Sequence, residues 1–146
     1  MRKSSPEDAR AAGRLAIAYM MAIASATLRR FPVDMLDLLL ITTIANYNVM
    51  ADEAARRNAA LVAATPRRAG ISRNAVSRAL NIPLETVRRR IAALVAKKVL
   101  VEQADGLAFS PDNPIGLGNN ADLAAFNLEL LAQLFRDLKA CGIELE

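Results

Sequence analysis

Two short runs of helically spaced apolar residues, separated by Asn81-Ile82-Pro83, constrain the fold of this chain more than any other feature. Val76 and Leu80 lie before the turn; Val87, Ile91, Leu94 and Val95 follow it at helical spacing. Pro83 disrupts a helix interior but suits a first turn, so it ends one helix and presets the next. Asn81 occupies the turn position usually given to Gly, and Asn is the next best residue at positive φ. Ser72 is placed to cap the first helix, expected over Arg73–Leu80. The second helix is expected from Pro83 or Leu84 to about Lys98. Beyond it, 99–103 and 107–110 read as two strands, with Asp105-Gly106 as the hairpin turn. Turn chemistry, helix spacing and hairpin signal agree independently, and that agreement makes the arrangement specific. It is a winged helix-turn-helix pattern.

Charge coincides with this pattern. From Arg56 to Lys98 the chain carries eleven basic residues and one acid, Glu85, a net +10 over 43 residues. The whole chain is only +4, so the remainder sums to −6. A solvated face usually mixes its signs; this one segment is suited to a polyanion.

The helix from Leu84 to Lys98 is then the recognition helix. With Val87, Ile91 and Leu94 in the core, Leu84, Glu85, Arg88 and Arg89 face outward as base-reading candidates. Arg bonds bidentately to guanine, and Glu85 is able to accept from cytosine N4. Glu85 also stands three and four residues from Arg88 and Arg89, where a simple ion pair accounts for it equally well. Arg67, Arg68, Ser72, Arg73, Asn74, Thr86 and Arg90 are candidates for phosphate contact, which positions a protein without reading sequence. For Arg90 the competing reading is a solvated helix face.

The flanks read as helices. Ser5-Pro6-Glu7-Asp8 combines a cap, an N1 proline and acids at the dipole's positive end. The helix it starts, over 6–29, is apolar nearly all round, with Leu15, Ile17, Tyr19, Met20, Met21, Ile23 and Leu28. Such a helix is buried on more than one side, which in a chain this small usually means a second subunit. Phe31-Pro32 ends it. A second helix is expected from Val33 or Asp34 to Met50, with Met35, Leu36, Leu39, Leu40, Thr43, Ile44 and Tyr47 buried. The alanine-rich stretch 52–65 reads ambiguously, as a loop or a short extra helix. After a Pro-, Gly- and Asn-rich loop to Asn119, Asn120 caps a final helix to about Cys141, with Gly142 as its C-cap glycine. Its stripe is Leu123, Phe126, Leu130, Leu131, Leu134, Phe135 and Leu138.

Composition narrows the chemistry. At 146 residues one domain is expected, mainly α with a small β-hairpin wing. The divisions are a helix at 6–29, a winged helix-turn-helix core at 33–110 and a helix at 120–141. His is absent and Cys141 is the single cysteine. The usual zinc sites and the Ser-His and Cys-His nucleophile pairs are therefore unavailable, so no catalytic residue, metal or cofactor is expected. Asp34 and Asp37 lie one turn apart, but a solvated helix start explains them. A lone Cys suits a reducing cytoplasm. The uncharged run Leu15–Leu28, fourteen residues ending near Ala24-Ser25-Ala26, falls short of the roughly 20 that span a bilayer. A buried helix is expected there, with no membrane partner.

From Ile71 to Ser110 the sequence ISRNAVSRALNIPLETVRRRIAALVAKKVLVEQADGLAFS resembles the winged-helix domain of bacterial transcriptional regulators. TVRRRIAALVAKKVLV is particularly typical of a recognition helix running into a wing. The overall order of elements resembles the MarR-type architecture. That resemblance implies a homodimer held by intertwined N- and C-terminal helices, with two recognition helices reading a double-stranded DNA pseudo-palindrome about one helical turn apart. The short wing lacks the Asp-x-Arg pattern that MarR-type wings place in the minor groove, and only one helix follows it. The resemblance also implies a pocket for a small apolar or phenolic effector, for which Tyr19, Met20, Met21 and Tyr47 are candidates, although all four read more simply as core. The contrasting expectation is a winged helix serving as a protein-interaction or assembly module without operator recognition. Such modules typically lack three consecutive arginines on the exposed helix.

Overall fold

The computed structural model describes residues 5–58 and 69–143. It is mainly helical with one two-stranded antiparallel hairpin: α1 (Pro6–Arg30), α2 (Met35–Asn58), α3 (Arg73–Leu80), α4 (Leu84–Ala96), β1 (Leu100–Gln103), β2 (Gly106–Phe109) and α5 (Ala121–Ala140). These elements form two compact units, one from α1 and α5 and the other spanning Val33–Asn119.

Helix ends follow from local chemistry. Ser5 Oγ accepts from the Asp8 N–H at 3.1 Å and the Asp8 carboxylate accepts from the Ser5 N–H at 2.8 Å, a reciprocal capping box. Ser72 and Asn120 cap α3 and α5 by accepting from Ala75 and Leu123 N–H groups. Asn81 ends α3 in the left-handed region, φ 53°, as the turn requires. At the end of α4 the Val99 N–H reaches the Leu94 carbonyl and the Lys98 N–H reaches that of Val95. This is a Schellman closure with Lys98, φ 61°, where glycine is usual. Gly142, φ 75°, closes α5 in the same way.

In the α1/α5 unit, the Tyr19 hydroxyl donates to Asn127 Oδ1 at 2.6 Å and Arg30 pairs with Asp122 at 3.3 Å. The all-round burial expected of α1 is not present within one chain. Ile17, Met20 and Met21 are 54–57% exposed, and of α1 only Thr27 is buried. On α5, Leu138 is buried while Phe126, Leu128 and Phe135 are exposed. By length and composition α1 is long and apolar enough to cross a bilayer, which the uncharged run alone is not.

The Val33–Asn119 unit closes a complete core. Leu40, Ile41 and Ile44 of α2 meet Val76, Val87, Ile91 and Leu94 from α3 and α4, with Val99, Leu100 and Leu107 sealing the hairpin side. Three expectations are corrected here. The buried stripe of α2 is rotated by about one residue: Ile41 and Asn48 are inside, while Met35, Leu39 and Tyr47 are exposed. The helix also continues through Asn58, taking up the first part of the ambiguous 52–65 stretch; its remainder, with Arg67 and Arg68, lies outside the described residues. In the hairpin, Gln103 pairs with Gly106, so the loop is Ala104-Asp105 rather than Asp105-Gly106. Gly106 begins β2 at φ 132°, and a Cβ there would lie 2.6 Å from the Ile71 carbonyl oxygen. Ile71 bonds reciprocally with Leu107, adding a single bridge to the hairpin's edge.

Asn48 ties these pieces together. Fully buried, it donates to the carbonyls of Ala69 (2.6 Å) and Leu107 (3.2 Å) and accepts from the Phe109 N–H (2.9 Å). A buried amide is stable only with its partners made, and Asn48 uses both its donor and acceptor ends to hold the hairpin against α2. Asn113 does similar work after the hairpin, bonding Ser110 and both backbone groups of Leu117.

Candidate nucleic-acid interface

Burial of Val87, Ile91 and Leu94 sets the orientation of α4. It leaves Glu85, Arg88, Arg89, Ala92, Ala93 and Ala96 exposed along one stripe: charged in the first half, small in the second. Of the four base-reading candidates, Glu85, Arg88 and Arg89 lie on this stripe, and Leu84 is half-buried at the start of the helix. Glu85 and Arg88 are paired at 2.7 Å as i,i+3 neighbours, so the ion pair expected as the alternative for Glu85 is formed. Both partners remain largely in water, where such a pair contributes about 0.3–0.5 kcal/mol and exchanges readily.

The phosphate candidates divide. Ser72 Oγ accepts the α3 cap bond and keeps its O–H to donate, while Asn74 is exposed and Thr86 half-buried. Arg73, the first residue of α3, is bound to the Glu102 carboxylate on β1. Arg90 does not point into solvent as a free cation. Its guanidinium is held by Asp34 and, at 3.4 Å, by Asp37 at the start of α2. Asp34 also accepts from the Asp37 N–H at 2.8 Å. That backbone bond first, and then the bond from Arg90, hold the Asp34 carboxyl below its ordinary range. Arg90 thus braces α4 against α2 and is replaced on the list of available cations by Arg78, Lys97 and Lys98, all exposed.

Comparison with protein families, with characterised proteins and with solved structures returned no match.

Two ion-pair contacts were not expected from the sequence. Glu102 engages Arg73 from 29 residues away, and Asp34 with Asp37 meets Arg90 across more than 50. Nothing in the local sequence singles these acids out, because fourteen of the fifteen acids lie outside the basic stretch. Among the effector-pocket candidates, Tyr19 borders a shallow groove of about 150 Å³ with Leu15, Leu130 and Leu134, whereas Met20 and Met21 are open to solvent. Cys141 is an exposed C-cap residue. Among the described residues, no group of three or more acid or cysteine side chains is arranged to hold a metal ion.

Proposed function

We propose that this chain is a sequence-specific double-stranded DNA-binding transcriptional regulator of winged helix-turn-helix, MarR-like type, acting as a cytoplasmic homodimer. The observation that carries this reading is the outward face of α4, where Arg88 and Arg89 stand adjacent and exposed within a +10 segment. A helix of about 13 residues that buries one face and presents arginines on the other suits insertion into a major groove, with Arg88 and Arg89 reading guanine edges. Glu85 exchanges Arg88 for a cytosine N4 donor. The alanines at 92, 93 and 96 allow the helix to lie close to the bases and their methyl groups. Arg73, Asn74 and Thr86, with Arg78, Lys97 and Lys98, supply phosphate contacts. The exposed apolar residues of α1 and α5 support dimerisation through those helices.

Replacing Arg88 and Arg89 by Ala singly tests the assignment. Each loss is expected to weaken specific duplex binding by about 1–3 kcal/mol, at least severalfold in Kd, and to relax preference at one base position. Specific binding unchanged within twofold in both variants contradicts the roles given to these residues.

A further inference from the structure

Three arginines of α3 and α4 are already held by carboxylates, and the three pairs differ in kind. Arg90 meets two acids, one of them (Asp37) only 13% exposed and the other tied into the start of α2. An incoming phosphate would have to dismantle that brace. Arg88 and Glu85 belong to one helix turn, with side chains 53% and 82% exposed, and part without disturbing any packing. The Arg73–Glu102 pair is neither local nor a brace. It joins the first turn of α3 to an exposed position on β1, with side chains 34% and 55% exposed. The backbone there is held independently: Glu102 is paired in register with Leu107, which bonds reciprocally to Ile71, two residues before Arg73. The hairpin's position therefore does not depend on the ion pair. What the pair does is place a carboxylate where a phosphate oxygen would otherwise sit on Arg73.

Resting on the DNA-binding reading above, we infer that Glu102 is an intramolecular competitor for the phosphate contact of Arg73, and so sets how weakly the chain holds non-specific duplex. Phosphate contacts dominate non-specific binding and carry no sequence information. A carboxylate that occupies one of them subtracts from binding to any duplex. At a matching site, base contacts fix the register and the phosphate displaces Glu102 from a geometry held by other bonds. The contrast between specific and non-specific DNA rises accordingly.

The test is fluorescence anisotropy with a scrambled duplex across a salt series, using the wild type, E102Q, R73Q and the double variant. Glutamine preserves the shape of Glu102 and removes its charge. E102Q is expected to bind the scrambled duplex roughly two- to fivefold more tightly at low salt, the worth of an exposed ion pair. Its log K against log salt line should steepen by about 0.9, one added phosphate contact. In the R73Q background the same substitution should leave affinity and slope unchanged. Equal tightening in both backgrounds overturns the inference, because Glu102 would then act as a distant negative charge rather than through Arg73. An E102Q variant identical to wild type overturns it as well. A wild-type chain that binds no duplex at low salt removes the DNA-binding reading itself, a result distinct from either of these.

Discussion

The unit spanning Val33–Asn119 and the α1/α5 pair treat their apolar residues in opposite ways. In the first, ten large side chains from α2, α3, α4 and the hairpin are almost completely excluded from water. In the second, burial reaches Thr27, Phe31 and Leu138, while Ile17, Met20, Met21, Leu128 and Phe135 stay more than half exposed. Both units also leave apolar side chains in water, Met35, Leu39, Tyr47, Val49 and Met50 along α2 among them; what separates the units is that only the first closes a core. Under the proposed dimer reading, the closed core holds α4 in place and the α1/α5 pair is the face offered to a second copy.

Substitutions in the core around α4 should have the largest effect. Ile91→Ala is expected to cost about 2–5 kcal/mol in urea unfolding, independent of protein concentration. A loss below about 1 kcal/mol would mean the core around α4 is not closed. Asn48→Ala removes the hydrogen bonds to Ala69, Leu107 and Phe109 and is expected to cost about 2 kcal/mol by the same measurement. Hydrogen exchange should show the hairpin amides opening first; protection lost uniformly would contradict the anchoring role.

For the helix pair the expected change is in association. Met21→Glu should raise the dimer Kd at least tenfold, about 1.4 kcal/mol, in sedimentation equilibrium, with the helix signal in circular dichroism unchanged. A monomeric wild type, or a dimer indifferent to the charge, argues against this face as the contact. The smallest effect belongs to the brace. Asp34→Asn keeps a cap acceptor but loses the charge facing Arg90, costing below about 1 kcal/mol at neutral pH. Because the folded carboxyl sits below its unfolded value of about 3.9, its contribution is complete above that value. It is lost as pH falls through the lower folded value, so the gap between wild type and variant should start to narrow near pH 4 and close only below the folded value. A gap that persists in acid would show that the charge was not its source.

Local chemistry carried much of the architecture. Ser72, Asn81, Pro83, Asn120 and Gly142 act on the backbone within a few residues of themselves, and each delimits its helix where the sequence placed the boundary. The core positions of α4 followed from spacing alone. Failures began where the deciding partner is distant. Leu39 and Tyr47 seemed natural members of the α2 stripe, yet the hairpin's unsatisfied backbone groups draw Asn48 inward and turn Ile41 with it. Gly106 reads as a turn residue, but its need has a second source: beside its positive φ, the Ile71 carbonyl leaves no room for a Cβ. Arg90 and Arg73 looked like free cations because their acids come from α2 and β1. Charge counting registers how many cations a surface has; only the fold shows which are already occupied.

If α4 reads DNA sequence, the purified protein should prefer its own upstream DNA to a scrambled duplex. Fluorescence anisotropy against a scrambled competitor, across a salt series, should give tight binding that survives the competitor. That binding should weaken steeply with salt, by a slope of about −0.9 for each phosphate contacted. Equal affinity for both duplexes, or no binding at low salt, would contradict sequence reading by α4.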